Sequence, residues 1–457
     1  MTSLSTLMCT ARDPSALVAC SDQEQYSWQD FQCAVASLTR RLQSHPAQRW
    51  LLHEEHSYRF AIGLMALLHS EKTIVLPPSG QPGILEELSE HCDAMLGPEQ
   101  QIIKGLLIDD EPCGQPGSLV FKPLDAERCM IEVMTSGSSG DAQRIIKSLA
   151  SFDAELSCQA ALWGSVLTGT TVMATVSHQH IYGLLFRLLL PLSLGCPFWV
   201  HGHAYPEQLF VDMARLSSPV SLVSSPALLA RLPERMEARE SARLPEIVFS
   251  SGGPLLYGAA QHVERLLGQR PVEIFGSTET GGVGWRRQQQ QNEPWQLLPG
   301  VTISADDGLL RVHSAYCCYN EGFTMGDRVQ LGAENQFSLL GRADRIVKIE
   351  EKRLSLDDME ARLKACALVD DARLLVINGH RQQLAAVVVP TAAAQLILLE
   401  QGKRALNDAL KLYLLDFFER VLLPRKWRYP TALPYNSQGK LPLTALTVLF
   451  TDTAEQS

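Results

Sequence analysis

The stretch Glu132–Ser148, EVMTSGSSGDAQRIIKS, places small and hydroxyl-bearing residues in an unbroken row directly after an apolar, strand-like run. The row from Thr135 to Gly140 cannot pack a hydrophobic core. It offers hydroxyls and unhindered backbone N–H groups, which are the groups that a phosphate-binding loop needs. We therefore interpret it as a candidate phosphate loop, with a flexible linker as the alternative.

Short apolar runs alternate with helix-like stretches on both sides of this loop. The runs are RWLLH, KTIVLPP, GTTVMATV, CPFWVHG, VSLVSSP, EIVFSSGG and VEIFGSTE. Helical patterns such as WQDFQCAVASLTRRLQS and YGAAQHVERLLGQ lie between them. Alternation of strands and helices predicts an α/β fold, with layers of helices on mostly parallel sheets.

Three of the predicted strands end in Ser/Gly turns, namely SSP, SSGG and GSTETGG. In open α/β sheets, ligands bind beyond the carboxyl ends of the strands. We therefore expect these three turns to contribute to one shared site.

The pattern changes near Leu339–Ala365, where the charge density rises. A strand-like run, RIVKI, leads into a predicted helix with Ser355 as its N-cap and with Asp357 and Asp358 in its first turn. The sequence therefore predicts a large N-terminal domain, residues 1–341, and a small α+β C-terminal domain, residues 342–457.

The composition is typical of a soluble globular protein. The chain has 457 residues, of which 46% are hydrophobic and 20% charged, which allows two domains. The net charge of −10 argues against a general nucleic-acid binder. Eleven cysteines without a CxxC pair predict reduced thiols in the cytoplasm.

Two segments bear on membrane targeting. The N-terminus has no basic region followed by an apolar core, so we expect no signal peptide. The apolar segment Ile181–Val200 carries Arg187, Pro191 and Pro197, whereas a spanning helix needs about 20 clean apolar residues. We predict a buried helix followed by a buried strand there, and no membrane span.

Seven stretches, in order along the chain, resemble the motifs of the acyl-adenylate-forming ligases. That family contains acyl-CoA synthetases, nonribosomal peptide adenylation domains and luciferases. MTSGSSGDAQ resembles its phosphate loop, SHQHIYGLLF its aromatic/His gate, FSSGGPL its adenine-site turn and IFGSTETGG its aromatic-Gly-x-Thr-Glu motif. GFTMGDRV resembles its ribose-binding motif, and GRADRIVKI with NSQGKLP resembles its hinge and its C-terminal lysine loop.

The resemblance implies a two-step reaction that uses ATP and Mg²⁺. A carboxylate attacks the α-phosphate of ATP, so that an acyl-adenylate forms and pyrophosphate leaves. A thiol then takes the acyl group. The C-terminal domain would begin near Arg342 and rotate about Asp344 between the two steps, which exchanges Lys440 for the VKIEEKR segment.

The resemblance also implies roles for the residues around the phosphates. Thr278 would bond the α-phosphate, and Glu279 would hold Mg²⁺, a hard ion that prefers carboxylate and phosphate oxygens. Lys440 would bridge the α-phosphate and the substrate carboxylate. The β- and γ-phosphates would be bound by Thr135, Ser136, Gly137, Ser138, Ser139 and Gly140.

For the adenosine, the resemblance implies that Gly252 and Gly253 present their backbone to the adenine and that Phe275 stacks on it, with Gly276 in the same site. Asp327 would accept hydrogen bonds from the ribose hydroxyls, as an acidic residue does in other nucleotide sites.

Arg342 would support the ribose or a phosphate, with a surface salt bridge as the alternative. His180 would lie beside the acyl carboxylate, and a core histidine is the alternative for it. The acid itself is not identified by the sequence, but pocket residues are expected around Tyr182, Gly183, Ser225, Gly276, Gly281, Gly282 and Trp285.

The chain departs from the family pattern at two positions. Gln143 stands where the phosphate loop usually has a lysine, and we expect Arg144 or Lys147 to supply that charge. Glu351 stands where the hinge motif usually has the glycine that lets the thiol arm pass. In addition, residues 342–457 hold 17 Lys and Arg against 14 Asp and Glu, whereas residues 1–341 hold 23 against 36.

Glu351 and the basic C-terminal domain, with its segment Pro424–Pro430, favour an acidic acyl carrier protein as the acceptor. The resemblance then implies a stand-alone ligase of bacterial secondary metabolism, such as an aryl polyene pigment pathway. The alternatives are an ordinary acyl-CoA synthetase and a non-catalytic nucleotide-binding protein on the same fold.

Overall fold

The computed structural model describes residues 1–98, 105–107, 120–136, 142–234, 244–333, 335–342, 345–350, 352–377, 382–434 and 443–451. The chain divides into two compact units. The first comprises Met1–Pro78, Glu87–Thr135 and Arg144–Ala343, and the second Ser79–Glu86, Ser136–Gln143 and Asp344–Ser457. The sequence predicts that domain 1–341 binds ATP and the acid and that domain 342–457 carries the catalytic lysine. These roles stay predictions.

The described strands of the first unit run from the N-terminus to the hinge motif. They are β1 (Leu17–Cys20), β2 (Gln25–Ser27), β3 (Arg49–Leu52), β4 (Thr73–Leu76), β5 (Ala94–Gly97), β6 (Gly105–Leu107), β7 (Met130–Ser136), β8 (Ala142–Ser148), β9 (Thr171–Ala174), β10 (Phe198–Trp199), β11 (Val220–Ser224), β12 (Ile247–Ser250), β13 (Val272–Ser277), β14 (Gly281–Arg286), β15 (Trp295–Leu297), β16 (Thr302–Asp306), β17 (Leu309–His313), β18 (Phe323–Leu331) and β19 (Gln336–Arg342). The strands of the second unit are β20 (Ile346–Ile349), β21 (Lys352–Ser355), β22 (Val369–Ile377), β23 (Gln383–Pro390) and β24 (Lys426–Arg428).

The described helices lie between these strands. They are α1 (Trp28–Ser44), α2 (Ser57–His69), α3 (Pro82–Ser89), α4 (Leu149–Leu167), α5 (Ile181–Gly183), α6 (Leu190–Leu194), α7 (Pro206–Arg215), α8 (Pro226–Leu229), α9 (Tyr257–Leu267), α10 (Leu356–Ala365), α11 (Ala392–Glu400), α12 (Gly402–Leu415) and α13 (Leu443–Thr451). Two short 3₁₀ helices, Leu4–Cys9 and Arg420–Leu422, and a π-helix, Leu184–Leu189, complete the helical segments.

The first unit contains a 13-stranded and a six-stranded sheet. The 13-stranded sheet has the order β16-β17-β18-β19-β15-β14-β13-β12-β11-β9-β10-β1-β2. Its run from β13 to β1 is parallel, whereas the strands from β14 to β16 pair antiparallel. The six-stranded sheet, β6-β5-β3-β4-β7-β8, is parallel from β6 to β7. The predicted α/β fold is confirmed, and the larger sheet is mixed.

The seven apolar runs that predicted strands all form strands, and the two helical patterns form α1 and α9. In α1, Trp28, Phe31, Val35, Leu38 and Leu42 recur at helical spacing and are buried. The Ser27 hydroxyl accepts from the Asp30 N–H, while the Asp30 carboxylate accepts from the Ser27 N–H, which forms a capping box.

The apolar segment Ile181–Val200 is helical from Ile181 to Leu194 and then forms β10, as predicted. Its residues from Gly183 to Ser193 are buried. Among the described residues, no helix has the length and apolarity to cross a membrane.

The second unit is built on the β20–β21 hairpin and on a three-stranded sheet, β22-β23-β24. As predicted, Ser355 caps α10, and its hydroxyl accepts from the Asp358 N–H at 3.1 Å. The buried Glu360 carboxylate accepts from the Arg345 and Arg373 guanidiniums and from the Leu374 N–H. This unit therefore has an α+β structure with its own core.

Candidate active site

The three polar turns that the sequence grouped together lie at one edge of the 13-stranded sheet. Strands β11, β12 and β13 are consecutive and parallel, so their carboxyl ends point the same way. The turns that follow them begin at Ser225, Ser251 and Thr278. The sheet topology thus supplies the geometric basis for a shared site, whose function stays a prediction at this point.

The turn between β13 and β14 is buried and hydrogen-bonded. Thr278, Glu279 and Thr280 are 8%, 3% and 0% exposed. The Thr280 hydroxyl accepts from the Ser277 N–H at 3.1 Å, and the Cys318 N–H donates to the Glu279 carbonyl at 2.9 Å. The main chain that carries Thr278 and Glu279 is therefore fixed by its neighbours.

Glycines let β13 and β14 approach each other closely at this turn. A Cβ atom on Gly276 would lie 2.2 Å from the Gly281 carbonyl oxygen. Gly281 has a φ of +66°, and a Cβ there would lie 2.7 Å from a Glu155 carboxylate oxygen. The glycines of IFGSTETGG are thus required by backbone packing as well as by the predicted ligand.

We expect Gly276→Ala to lower the free energy of unfolding by about 1–3 kcal/mol, because the new methyl group meets main chain that cannot rotate away. Urea denaturation of the full-length protein measures the loss. Gly258→Ala is the matched control: nothing lies within 4 Å of its Cβ position and the residue is helical, so its stability should be unchanged or higher. Equal stability of the two variants would contradict the packing at Gly276.

The two cations expected to replace the loop lysine both contact other protein groups. Arg144 Nη1 lies 3.7 Å from the buried Glu132 carboxylate, and its side chain is 52% exposed. Lys147 is 1% exposed, and its Nζ donates to the Tyr316 carbonyl at 2.9 Å and to the Thr278 carbonyl at 3.4 Å. Lys147 is therefore directed at the interior, and Arg144 is the better candidate for the missing charge.

Sequence reasoning missed Glu155, which lies on α4 and is 1% exposed. Its Oε1 accepts from the Gly282 N–H at 2.7 Å. Burial raises the pKa of the Glu155 carboxyl, and the Lys147 charge and the Gly282 hydrogen bond oppose that shift. No local motif marks this residue, because its partner is 127 positions away in the chain.

The predicted adenine turn follows β12. Gly252 has a φ of +95°, a conformation that favours glycine, so its N–H and carbonyl are presented without a side chain. The Ser251 hydroxyl donates to the Ile274 carbonyl at 2.7 Å, which ties this turn to β13. Gly253 follows directly, and an adenine contact for both glycines stays a prediction.

Phe275, the predicted stacking residue, is 7% exposed and belongs to the core. Its ring centroid lies 5.6 Å from that of Trp295 and 6.0 Å from that of Phe337. The surroundings of Phe275 are thus aromatic side chains of the protein, and its stacking on an adenine stays a prediction.

Asp327 and Arg342 are direct cross-strand neighbours in the register of β18 and β19. The two motifs that contain them are separate in the sequence, so only strand pairing brings their backbones together. Asp327 is 8% exposed. This register is consistent with the predicted ribose site, whose role stays a prediction.

The gate motif contains two histidines in different surroundings. His178 is buried and its Nε2 lies 2.7 Å from the Glu54 carbonyl, while burial lowers its pKa well below the ordinary value. His180 precedes α5 and is exposed. The exposure of His180 argues against the core-histidine alternative for that residue, and its place beside the acid stays a prediction.

Aromatic side chains cluster next to the gate motif. The Phe186 ring lies 5.2 Å from Tyr182 and 4.9 Å from Phe249, and Trp163 lies 5.3 Å from Phe249 and 6.2 Å from Trp285. Tyr182 and Trp285 were expected pocket residues. The other three, Trp163, Phe186 and Phe249, come from α4, the π-helix and β12, so no single motif indicates them.

Several predicted site residues lie outside the described part of the chain. These are Gly137, Ser138, Ser139, Gly140, Asp344, Glu351 and Lys440. Thr135 and Ser136 form the end of β7, the strand that leads into the candidate phosphate loop.

One other group of described side chains has metal-binding chemistry. Ligand atoms of Glu24, His56 and His201 lie within 4.8 Å of one another. However, the His56 Nδ1 accepts from the Arg59 N–H at 3.4 Å, so the neutral ring carries its proton on Nε2, the nitrogen that faces Glu24. We assign no metal to this group.

Comparison with known families gives the decisive observation. The profile of the AMP-binding enzyme family matches residues 9–308, which is more than half of the chain. This chain belongs to the AMP-binding enzyme family. It is therefore an AMP-forming acid–thiol ligase, and the reaction of such ligases is adenylation of a carboxylic acid followed by transfer to coenzyme A or to a carrier protein.

Two curated relatives show the range of this AMP-binding family. A 4-coumarate–CoA ligase of Halorhodospira halophila is 28% identical over 318 residues, which cover 67% of this chain and 73% of that protein. A D-alanine–D-alanyl carrier protein ligase of Listeria welshimeri is 30% identical over 108 residues, which cover 23% of this chain and 20% of that protein.

Solved structures show the same fold at low sequence identity. An amide bond synthetase from Marinactinospora thermotolerans has a TM-score of 0.82 at 14% identity, with 99% of this chain and 100% of that chain covered. A malonyl-CoA ligase in complex with methylmalonyl-CoA and AMP has a TM-score of 0.77 at 17% identity, with 95% and 100% covered.

Proposed function

We propose that this AMP-binding enzyme activates a carboxylic acid as an acyl-adenylate and transfers the acyl group to the phosphopantetheine thiol of a carrier protein. The observation that supports the first step is the buried turn with Thr278 and Glu279. It follows β13 at the sheet edge where the turns after β11 and β12 also begin. A nucleotide at this edge would meet all three turns.

The residues of the turn fit a nucleotide with Mg²⁺. The Thr278 hydroxyl is a donor for the α-phosphate, and the Glu279 carboxylate supplies the hard oxygen that Mg²⁺ prefers. When bound, Mg²⁺ neutralises phosphate charge. Asp327 accepts from the ribose, and Lys440 offsets the charge that builds on the α-phosphate and the acid in the transition state.

The experiment for this step is acid-dependent ATP–pyrophosphate exchange with a panel of aromatic and aliphatic carboxylic acids. Exchange with at least one acid is expected. The absence of exchange across the panel, with ATP still bound, would contradict this proposal and favour the non-catalytic nucleotide-binding alternative, for which Gln143 and Glu351 are the evidence.

For the acid, we propose a planar aryl or polyene acid. The half-buried rings of Tyr182 and Trp285, which lie against the buried core rings of Phe186 and Trp163, support this, because aromatic rings pack well against flat conjugated groups. The 4-coumarate–CoA ligases among the relatives are named for an aromatic acid. An aryl polyene pathway of secondary metabolism is consistent with such a substrate.

The proposed acceptor is an acidic carrier protein, which a basic surface would attract. In the second unit, Arg425 is 52% exposed, although Glu350 lies 3.8 Å from it, and Lys426 is also exposed. Arg428, which the sequence grouped with them, has a structural role instead. Its Nε donates to the Leu449 carbonyl at 2.7 Å, and its guanidinium lies over the Phe450 ring.

We expect Arg425→Glu with Lys426→Glu to reduce the rate of acyl transfer to an acidic holo-carrier protein, because the charge reversal removes electrostatic attraction. Rising salt should reduce the wild-type rate in the same way. Lys403→Glu with Arg404→Glu is the matched control: it makes an equal change in net charge at exposed residues of α12. Equal loss in both double variants would contradict a docking surface at Arg425 and Lys426.

Coenzyme A is the alternative acceptor, and the 4-coumarate–CoA ligases favour it. Efficient formation of acyl-CoA, without preference for a carrier protein, would establish that alternative.

The described cysteines are all free thiols, which supports our proposal that the enzyme works in the cytoplasm.

A further inference from the structure

Behind the Thr278–Gly282 turn lies a pair of buried ionisable groups that the predicted reaction does not use. Lys147 at the end of β8 and Glu155 on α4 are each 1% exposed. Desolvation makes buried charges costly, so they are found where they are paired or hydrogen-bonded. The charge of Lys147 acts on Glu155, and both side chains reach the same turn.

The two side chains hold the main chain at opposite ends of this turn. At its start, the Lys147 ammonium donates to the Thr278 carbonyl at 3.4 Å, and it also donates to the Tyr316 carbonyl at 2.9 Å. At its end, the Glu155 Oε1 accepts from the Gly282 N–H at 2.7 Å. Three residues lie between these two anchor points, and Glu279 is one of them.

The packing around Gly281 and Gly282 shows how closely the Glu155 carboxylate lies against the backbone of this turn. A Cβ on Gly281 would come within 2.7 Å of Glu155 Oε2, and one on Gly282 would come within 3.5 Å of Oε1. The Oε2 atom is buried and has no hydrogen-bond partner among the described residues. The Glu155 Oε1 also accepts from the Gln159 side-chain amide at 3.5 Å, and the charge of Lys147 opposes the effect of burial on the pKa of this carboxyl.

We propose that Lys147 and Glu155 are positioning residues of the adenylation reaction, which fix the turn so that Thr278 and Glu279 face the nucleotide and its Mg²⁺. Lys147 lies on β8, the strand that follows the candidate phosphate loop in the sequence. This inference rests on the proposed function. It assigns neither residue a direct contact with a ligand.

Lys147→Met tests the inference, since methionine keeps the length of the side chain and removes the ammonium. Outer partners that orient a metal ligand typically change activity or metal affinity by about 10- to 100-fold when removed. We expect kcat for exchange to fall within that range, the Mg²⁺ concentration for half-maximal rate to rise, and KM for the acid to stay within about threefold. Glu155→Gln, whose amide oxygen can still accept from the Gly282 N–H, should show a smaller fall in kcat for exchange.

Two further variants separate positioning from stability. The double variant Lys147→Met with Glu155→Gln removes both buried charges, so its melting temperature should exceed that of Lys147→Met while its exchange rate stays low. Lys72→Met is the matched control, because Lys72 is a buried lysine that donates to the His45 carbonyl away from this turn. It should lose stability and keep its exchange rate per folded molecule. If exchange follows melting temperature in all variants, the positioning role is overturned.

Binding of ATP with Mg²⁺, measured by calorimetry, keeps this inference distinct from the proposed function. If the wild type binds the nucleotide but exchanges with no acid, the proposed function fails, and weaker binding by Lys147→Met still supports positioning. If the wild type exchanges and Lys147→Met binds and exchanges equally well, positioning alone fails. A wild type that binds no nucleotide overturns both.

Discussion

Replacing Lys440 with alanine is expected to slow acid-dependent ATP–pyrophosphate exchange by about 10²- to 10³-fold, the effect of removing one preorganised donor from a transition state that gains charge. The motif NSQGKLP supports this role, and Lys440 lies outside the described residues. The fold should be unchanged, because a lysine that acts on ligand phosphates contributes little to a hydrophobic core. Exchange kinetics at saturating ATP and acid measure the effect.

The control for Lys440 is Lys403→Ala, which removes an exposed lysine of the same unit and should leave exchange unchanged. A second assay supplies chemically made acyl-adenylate to the Lys440→Ala protein. If Lys440 serves only the first step, transfer of the acyl group to the thiol survives. Near-normal exchange by Lys440→Ala would refute the assignment.

Glu279→Gln is expected to raise the Mg²⁺ concentration needed for half-maximal exchange by about tenfold or more, since even the loss of an outer partner of a metal ligand costs about that much. A neutral amide binds a hard cation less well than a carboxylate does, so turnover should fall as well. The protein should fold normally, because Gln keeps the size and the polar character of this 3% exposed side chain. A Mg²⁺ titration of the exchange rate tests the prediction.

Glu273→Gln is the matched control for Glu279. Glu273 is a buried glutamate on β13, the same strand that leads into the turn, and it accepts from Arg286 and Gln288. Its substitution should lower stability, because Arg286 loses its charged partner, and should leave the Mg²⁺ titration unchanged. An unchanged titration for Glu279→Gln, or an equal shift in the two variants, would rule out Glu279 as the metal ligand.

The local patterns in the sequence were sufficient for the class of the fold and for most of its elements. Apolar runs bounded by turn residues predicted strands correctly from RWLLH to VEIFGSTE, and the Arg and Pro residues within Ile181–Val200 indicated a buried helix and strand instead of a membrane span. These predictions succeed because propensity and capping act between residues a few positions apart. Ser355 as the cap of α10 is an example.

The details of the candidate site depended on contacts between distant parts of the chain. The antiparallel part of the 13-stranded sheet, which pairs Asp327 with Arg342, follows from strand register and was not visible in either motif. The basic segment Pro424–Pro430 predicted Arg425, Lys426 and Arg428 as docking residues. In the structure, however, the Arg428 side chain donates to the Leu449 carbonyl, 21 positions away in the chain.

The sequence by itself determined the order of the nucleotide-binding motifs and the strand before the phosphate loop, because each is a local pattern of residue types. Only the tertiary structure decided that Lys147 donates to Tyr316 and Thr278 in the interior, and that Glu155 bonds Gly282. These partners are between 127 and 169 positions apart in the chain. A buried charge is stable only when an oppositely charged or hydrogen-bonding group lies beside it. The position of that group depends on how β8, α4 and β14 pack together.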